Sequence, residues 1–303
     1  MRQQAEKTVR LRPLLLSGLI VLLAVVWLVW SQWERLADWV GKPPPEVATE
    51  GTPGGEDSPS QQTEAGRREE LERRWEELTG AAPAWPEDFS SPRACDEIEQ
   101  ELLGICDELD SRPYVQDALG AEGTCGLLDR ASRELASRPP VLASELQSYP
   151  AILSNAFHLF RVLGRERTAL LSDVMQREDD LLEPMALSLY RWLASREPCA
   201  GEGEDAVSLE ALYEYSGFLI HTLGGQAYLR RRSPSVEALT SFYALVILDR
   251  ADELMLNRHG LDPRAEVSRC RELLRTRPLL FAQQYDEVLD QISRRWEARA
   301  AAP

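Results

Sequence analysis

The side chains best suited to nucleophilic, redox or metal chemistry are five cysteines and three histidines: Cys95, Cys106, Cys125, Cys199 and Cys270, with His158, His221 and His259. Their spacing limits what they can do. No CxxC pair and no Cys–His pair at ligand spacing occurs, so a metal site is not expected. Cys95 and Cys106 lie eleven residues apart on one predicted helix. Eleven helical steps bring both to the same side but leave them about 16 Å apart, beyond the reach of a disulfide. If oxidised, each must therefore pair with another segment. Cys125, near a helix start, and Cys199, in an expected loop, are the adaptable partners. In an oxidising compartment two bridges and one thiol are expected. The competing arrangement is five reduced cysteines packed as small hydrophobes.

His158 shares a helical stripe with Asn155 and Arg161, at i, i+3 and i+6, beside Phe157 and Phe160. A Cys–His pair is the nucleophilic chemistry such residues would permit. The plainer reading is a half-buried polar stripe that stabilises helix packing. His259 sits in a C-terminal turn, where a cation suits the helix dipole. No GxSxG, P-loop, GxGxxG or HExxH pattern is present. No catalytic residue is assigned and no cofactor is expected. Asn155, His158, Arg161 and His221 are the only polar-site candidates.

The elements that must hold these residues read as helices. Ser91-Pro92, Ser208, Ser233-Pro234 and Asp262-Pro263 are start signals, and Gly164, Gly224 and Gly260 are stops. Between them apolar residues recur at helical spacing, for example Ile98, Leu102, Ile105 and Leu109. A helix opened by Pro139-Pro140 is expected to restart at Pro150 and to turn Leu153, Phe157, Phe160 and Leu163 inward. No period-two alternation flanked by turns is found, so the fold class is all-α, a multi-helix domain of antiparallel hairpins. Residues 151–164 and 211–224 align without gaps. Ala151 matches Ala211, Leu159 matches Leu219, Leu163 matches Leu223 and Gly164 matches Gly224, with Arg161 on His221. That pattern is what an internal duplication of helical hairpins would leave, and also what two amphipathic helices with one stop signal would leave.

Upstream lies an uncharged stretch from Leu14 to Trp30. As a helix it spans roughly 25 Å, and about 30 Å if extended to Trp33, which matches the bilayer core. Its apolar run is longer than the core of a cleaved signal and ends at Trp30-Ser31-Gln32-Trp33 without a small-x-small site. A permanent signal-anchor is expected. Arg2, Lys7, Arg10 and Arg12 precede it, which places the N-terminus inside and the C-terminal bulk outside. The expected organisation is a basic N-terminus (1–13), a single transmembrane helix (14–33), a juxtamembrane amphipathic segment (34–40), a disordered Pro/Gly-rich linker (41–65), a charged helix (66–80) that packs only partly, and an exported helical domain (88–303).

Residues 1–33 carry +3 of the net charge of −16, leaving about −19 beyond the span. Such acidity disfavours nucleic acid as a partner. Lysine occurs only at Lys7 and Lys42, the arginine-rich bias of a GC-rich bacterial genome. The expected location is therefore the bacterial inner membrane, with the domain in the periplasm. The expected role is a membrane-tethered binding or scaffolding protein of the cell envelope. Its partners would be the membrane, through Leu14 to Trp30, and another envelope protein or peptide. The alternative is an envelope enzyme with a cleft containing His158 and His221.

Overall fold

A computed structural model describes residues 64–80, 82–85, 95–142, 148–199 and 207–300. The expected transmembrane span, the juxtamembrane segment, nearly all of the linker and the Ser91-Pro92 start signal lie outside the described residues. Among those described there is no strand, and no helix is long and apolar enough to cross a membrane.

Thirteen α-helices follow one another among the described residues. They are α1 (Glu64–Thr79), α2 (Cys95–Asp110), α3 (Pro113–Leu119), α4 (Gly123–Ala136), α5 (Tyr149–Ala156), α6 (His158–Leu163), α7 (Arg165–Arg177), α8 (Leu182–Cys199), α9 (Leu209–His221), α10 (Leu223–Leu229), α11 (Pro234–Glu253), α12 (Arg264–Arg275) and α13 (Ala282–Ala300). A short 3₁₀ turn, Asp179–Leu181, leads into α8. The all-helical class of the described residues thus agrees with the sequence.

Helix α11 is the centre. Ser233 accepts the Val236 N–H at its start, and Pro234 supplies the first helical φ. Twelve of its twenty residues are buried, so no single stripe faces the core. That all-round burial is the signature of a helix enclosed by others. Phe242, Leu245 and Leu248 meet Tyr213 and Ile220 of α9, Val267 and Leu274 of α12, and Tyr285, Leu289 and Ile292 of α13 in one apolar cluster. Helix α1, expected to pack only partly, belongs to this core: Trp75 is buried edge-on against Phe281, with ring centroids 5.2 Å apart. A second cluster joins Ile105 and Leu109 of α2 to Val115, Leu127, Leu170 and Val174.

Buried charge stitches the layers. Arg191 of α8 donates to Glu101 of α2 at 3.0 Å, both side chains being nearly enclosed. Glu183 accepts the N–H groups of Leu280 and Phe281 at 2.7 and 3.0 Å, tying α8 to the turn before α13.

Several local expectations are corrected. Residues 139–142 are not helical, and the Val141 backbone groups bond the Asn155 side chain of α5 instead. The α5–α6 run breaks at Phe157, which leaves helical dihedrals (φ −109°, ψ 10°). Its inward side is Ala151, Asn155, His158, Val162 and Leu163. Leu153, Phe157 and Phe160, read as inward, are 42 %, 51 % and 40 % exposed. The reason is polar: Asn155 and His158 find backbone and hydroxyl partners inside, and they turn the aromatic side out.

The two aligned segments also end differently. Gly164 terminates α6 at φ +80°. Gly224 instead lies in the first turn of α10, after Thr222 has capped that helix through the Gly225 N–H. A Cβ on Gly224 would stand 2.6 Å from the Asn155 carbonyl carbon, so its glycine serves close helix approach and not a stop.

Candidate functional site

Of the expected Asn155–His158–Arg161 stripe, Asn155 and His158 are buried on the inward side and Arg161 is exposed. Asn155 is buried on α5. Its Oδ1 accepts the Val141 N–H at 3.1 Å and its Nδ2 donates to the Val141 carbonyl at 2.6 Å, pairing both backbone groups of one residue. Arg161 donates to the hydroxyl of Ser154 at 3.0 Å.

His158 lies 2.8 Å through Nε2 from the Tyr215 hydroxyl. That hydroxyl sits 3.0 Å from two carbonyl oxygens, those of Leu135 and Arg138. Carbonyls only accept, so the single Tyr215 proton points at them and the ring must donate from Nε2. His158 is therefore a neutral donor in a clasp that joins α6, α9 and the end of α4. Burial, followed by the charge of Arg161, pushes its pKa down to about 4. The surrounding aromatic rings of Tyr215 and Phe218 complete the pocket.

His221 ends α9 in a different setting. Its Nε2 is buried without a hydrogen-bond partner among the described residues. Desolvation lowers its pKa, against an opposing pull from Asp262. No hydrogen bond joins it to His158, Arg161 or a described cysteine.

Of the cysteines, Cys106 and Cys125 form a disulfide linking α2 to α4, with Cα atoms 5.5 Å apart. Cys125, expected to be an adaptable partner, is thus engaged. Cys270 is a buried thiol that donates to the Ala238 carbonyl at 3.6 Å, and burial pushes its pKa up to about 12. A thiol so raised is inert as a nucleophile at neutral pH. Cys95 opens α2 and Cys199 closes α8, so Cys199 is helical and not in a loop. The pairing expected of these two falls outside the described side chains.

One polar cluster escaped the sequence reading. Glu214 is buried on α9 and accepts from Arg258 at 2.8 Å and lies 3.1 Å from His259 Nε2. Tyr213 beside it accepts the His259 N–H at 3.1 Å and donates to Asn257 at 2.9 Å, while its ring stacks on the imidazole. Asn257 in turn binds the N–H and carbonyl of Leu261. The signal was present: Glu214 is a lone carboxylate amid Leu212, Tyr213, Ser216 and Phe218. Its partners come from a loop more than forty residues later, which no local pattern reveals. These bonds hold residues 257–261 against α9.

A depression lined by Leu219, Gln226, Glu237, Glu266 and Arg269 has a cavity volume of only about 10 Å³. Small-molecule pockets usually enclose about 300–1,000 Å³. What the surface offers instead is apolar. The outward side of α5–α6 comprises Tyr149, Pro150, Leu153, Ala156, Phe157 and Phe160, followed by Arg161. Tyr149 is 71 % exposed.

No protein-family model matches the chain, and no curated protein or solved structure is significantly similar to it.

Proposed function

We propose that the protein is a single-pass, N-in membrane protein whose helical domain is exported and acts as a binding or scaffolding module of the cell envelope. The uncharged stretch from Leu14 to Trp30, with its basic flank, supports the tether and its orientation. The observation that carries the binding role is the outward apolar side of α5–α6. Four large side chains, Tyr149, Leu153, Phe157 and Phe160, are left to solvent by a domain that otherwise buries its aromatics well. Contiguous exposed apolar surface of this kind marks interaction sites.

The histidine-cleft enzyme has less behind it. His158 spends its Nε2 proton on Tyr215, and the buried His221 Nε2 has no hydrogen-bond partner among the described residues. The partner is proposed to be another envelope protein or peptide.

The test is topological first. Protease added outside spheroplasts should remove the helical domain and leave a membrane-embedded fragment containing residues 14–33. Complete protection overturns the orientation. Crosslinking in intact membranes should then yield discrete adducts between the domain and envelope proteins. Adducts only to cytoplasmic proteins overturn the role.

A further inference from the structure

We infer that Cys95 and Cys199 form a second disulfide, which ties the start of α2 to the end of α8. The register of the two helices carries the inference. They pack against each other, and Met185 of α8 lies on the cluster that contains Leu109 of α2. Fourteen residues back along α2 from Leu109 is Cys95, and fourteen forward along α8 from Met185 is Cys199. Fourteen helical residues rise about 21 Å in nearly four turns, so each cysteine position returns to within about 40° of the residue where its count starts. The Glu101–Arg191 ion pair, at 3.0 Å, falls between these points and shows that the helices run antiparallel. It lies eight residues back on α2 and six forward on α8. In the other direction, Arg112 reaches Glu178 at 3.2 Å just before α8 begins. Contacts spaced in this way put the Cys95 and Cys199 positions level with each other. Helices in contact keep their axes about 8–10 Å apart, which brings facing Cα atoms to about 4–6 Å. A disulfide needs about 4.4–6.8 Å.

The remaining cysteines leave no competing pair. Cys106 and Cys125 are bonded to each other, and Cys270 is buried on α12 with its thiol on the Ala238 carbonyl. The new bond forms by loss of one proton and one electron from each thiol. The acceptor is the disulfide of a thiol–disulfide oxidoreductase, which leaves as a dithiol. The bond locks two layers of the fold. Leu182, Leu187 and Tyr190 of α8 belong to the main core, whereas Ile105 and Leu109 of α2 belong to the second cluster. With the link from Cys106 to Cys125, α2 is then held covalently to a neighbour near each of its ends. In cells the bond rests on the export of the proposed function, because the cytosol keeps thiols reduced.

The test separates the two. The full chain is purified in detergent, oxidised in a glutathione buffer, alkylated in denaturant without reductant and digested with trypsin. Cys95, Cys106 and Cys125 share peptide 94–130, because Arg112 is followed by proline, and Cys199 lies alone in peptide 197–230. The two peptides should be recovered as one crosslinked species in which no cysteine is capped by alkyl or glutathione. In Cys95→Ser, peptide 197–230 should appear free and capped, while 94–130 keeps its internal link. In Cys199→Ser, peptide 94–130 should carry one cap. Parent peptides recovered apart, each with one cap, overturn the inference. A link to 197–230 that survives in Cys95→Ser overturns it, and so does a chain-to-chain dimer that reductant dissolves. The same alkylation applied to cells quenched in acid should also find the link. A bond that forms in the glutathione buffer but is absent from quenched cells upholds the register and overturns the exported location.

Discussion

His158 shows how a reactive residue type becomes a structural one. Its Nε2–H is given to Tyr215, which passes its own proton to the carbonyls of Leu135 and Arg138. The folded pKa is about 4 against 6.5 in the ordinary state. Between those values the unfolded chain binds the proton and the folded chain does not, so stability rises with pH across that window and falls as pH drops through it. His221 shifts in the same direction. Urea midpoints measured from pH 4 to 7 should therefore climb, and the climb should shrink in His158→Gln. Met255 offers the opposite case, a residue that costs stability. It sits at φ +60°, is 92 % exposed, and closes α11 with the Leu256 N–H bonded to the Ala251 carbonyl. Glycine is the usual occupant of that left-handed position. Met255→Gly should raise stability by about 1 kcal/mol, seen as a higher denaturant midpoint at unchanged slope.

Elements meet through two devices that can be broken singly. The α5–α10 contact depends on Gly224, since a Cβ there would stand 2.6 Å from the Asn155 carbonyl carbon and 2.7 Å from the Ala156 nitrogen. Backbone cannot yield as a side chain can. Gly224→Ala should cost about 1–3 kcal/mol despite the better helix propensity of alanine, read as a lowered thermal midpoint. The α2–α4 contact depends on Cys106 and Cys125, 19 residues apart. Closing a loop of that size restricts the unfolded chain by about 3 kcal/mol. Replacing both by alanine should lower stability by about that amount. Mass spectrometry without reductant should show the 106–125 link, and Cys270 should alkylate only after denaturation.

At the scale of the whole molecule, the acidic helical domain and the apolar span near the N-terminus make separate physical demands. The domain encloses its own core around α11. The span, if it crosses the bilayer, keeps the chain with membranes. Full-length protein should resist extraction by alkaline carbonate, and a variant lacking residues 1–33 should move to the soluble fraction.

The helical class, the Ser208 and Ser233 starts and the Gly164 stop were legible in the sequence, because each is set by contacts within a few residues. The grouping of Asn155 with His158 was legible too, whereas Arg161, read onto the same stripe, is exposed. Which side of that stripe faces the core was not legible. Periodicity locates an apolar face, and it predicted Leu153, Phe157 and Phe160 inside. On the inward side, however, the Val141 backbone and the Tyr215 hydroxyl offer hydrogen bonds, and these claimed Asn155 and His158. The Glu214–Arg258–His259 cluster was hidden for the same reason, since its members are brought together by the return of the loop after α11. The sequence by itself determined the secondary structure class, the charge and the presence of an apolar span. Only the tertiary structure decided which polar groups are satisfied within the fold and which apolar side chains remain outside, because burying a polar atom depends on partners that are distant along the chain.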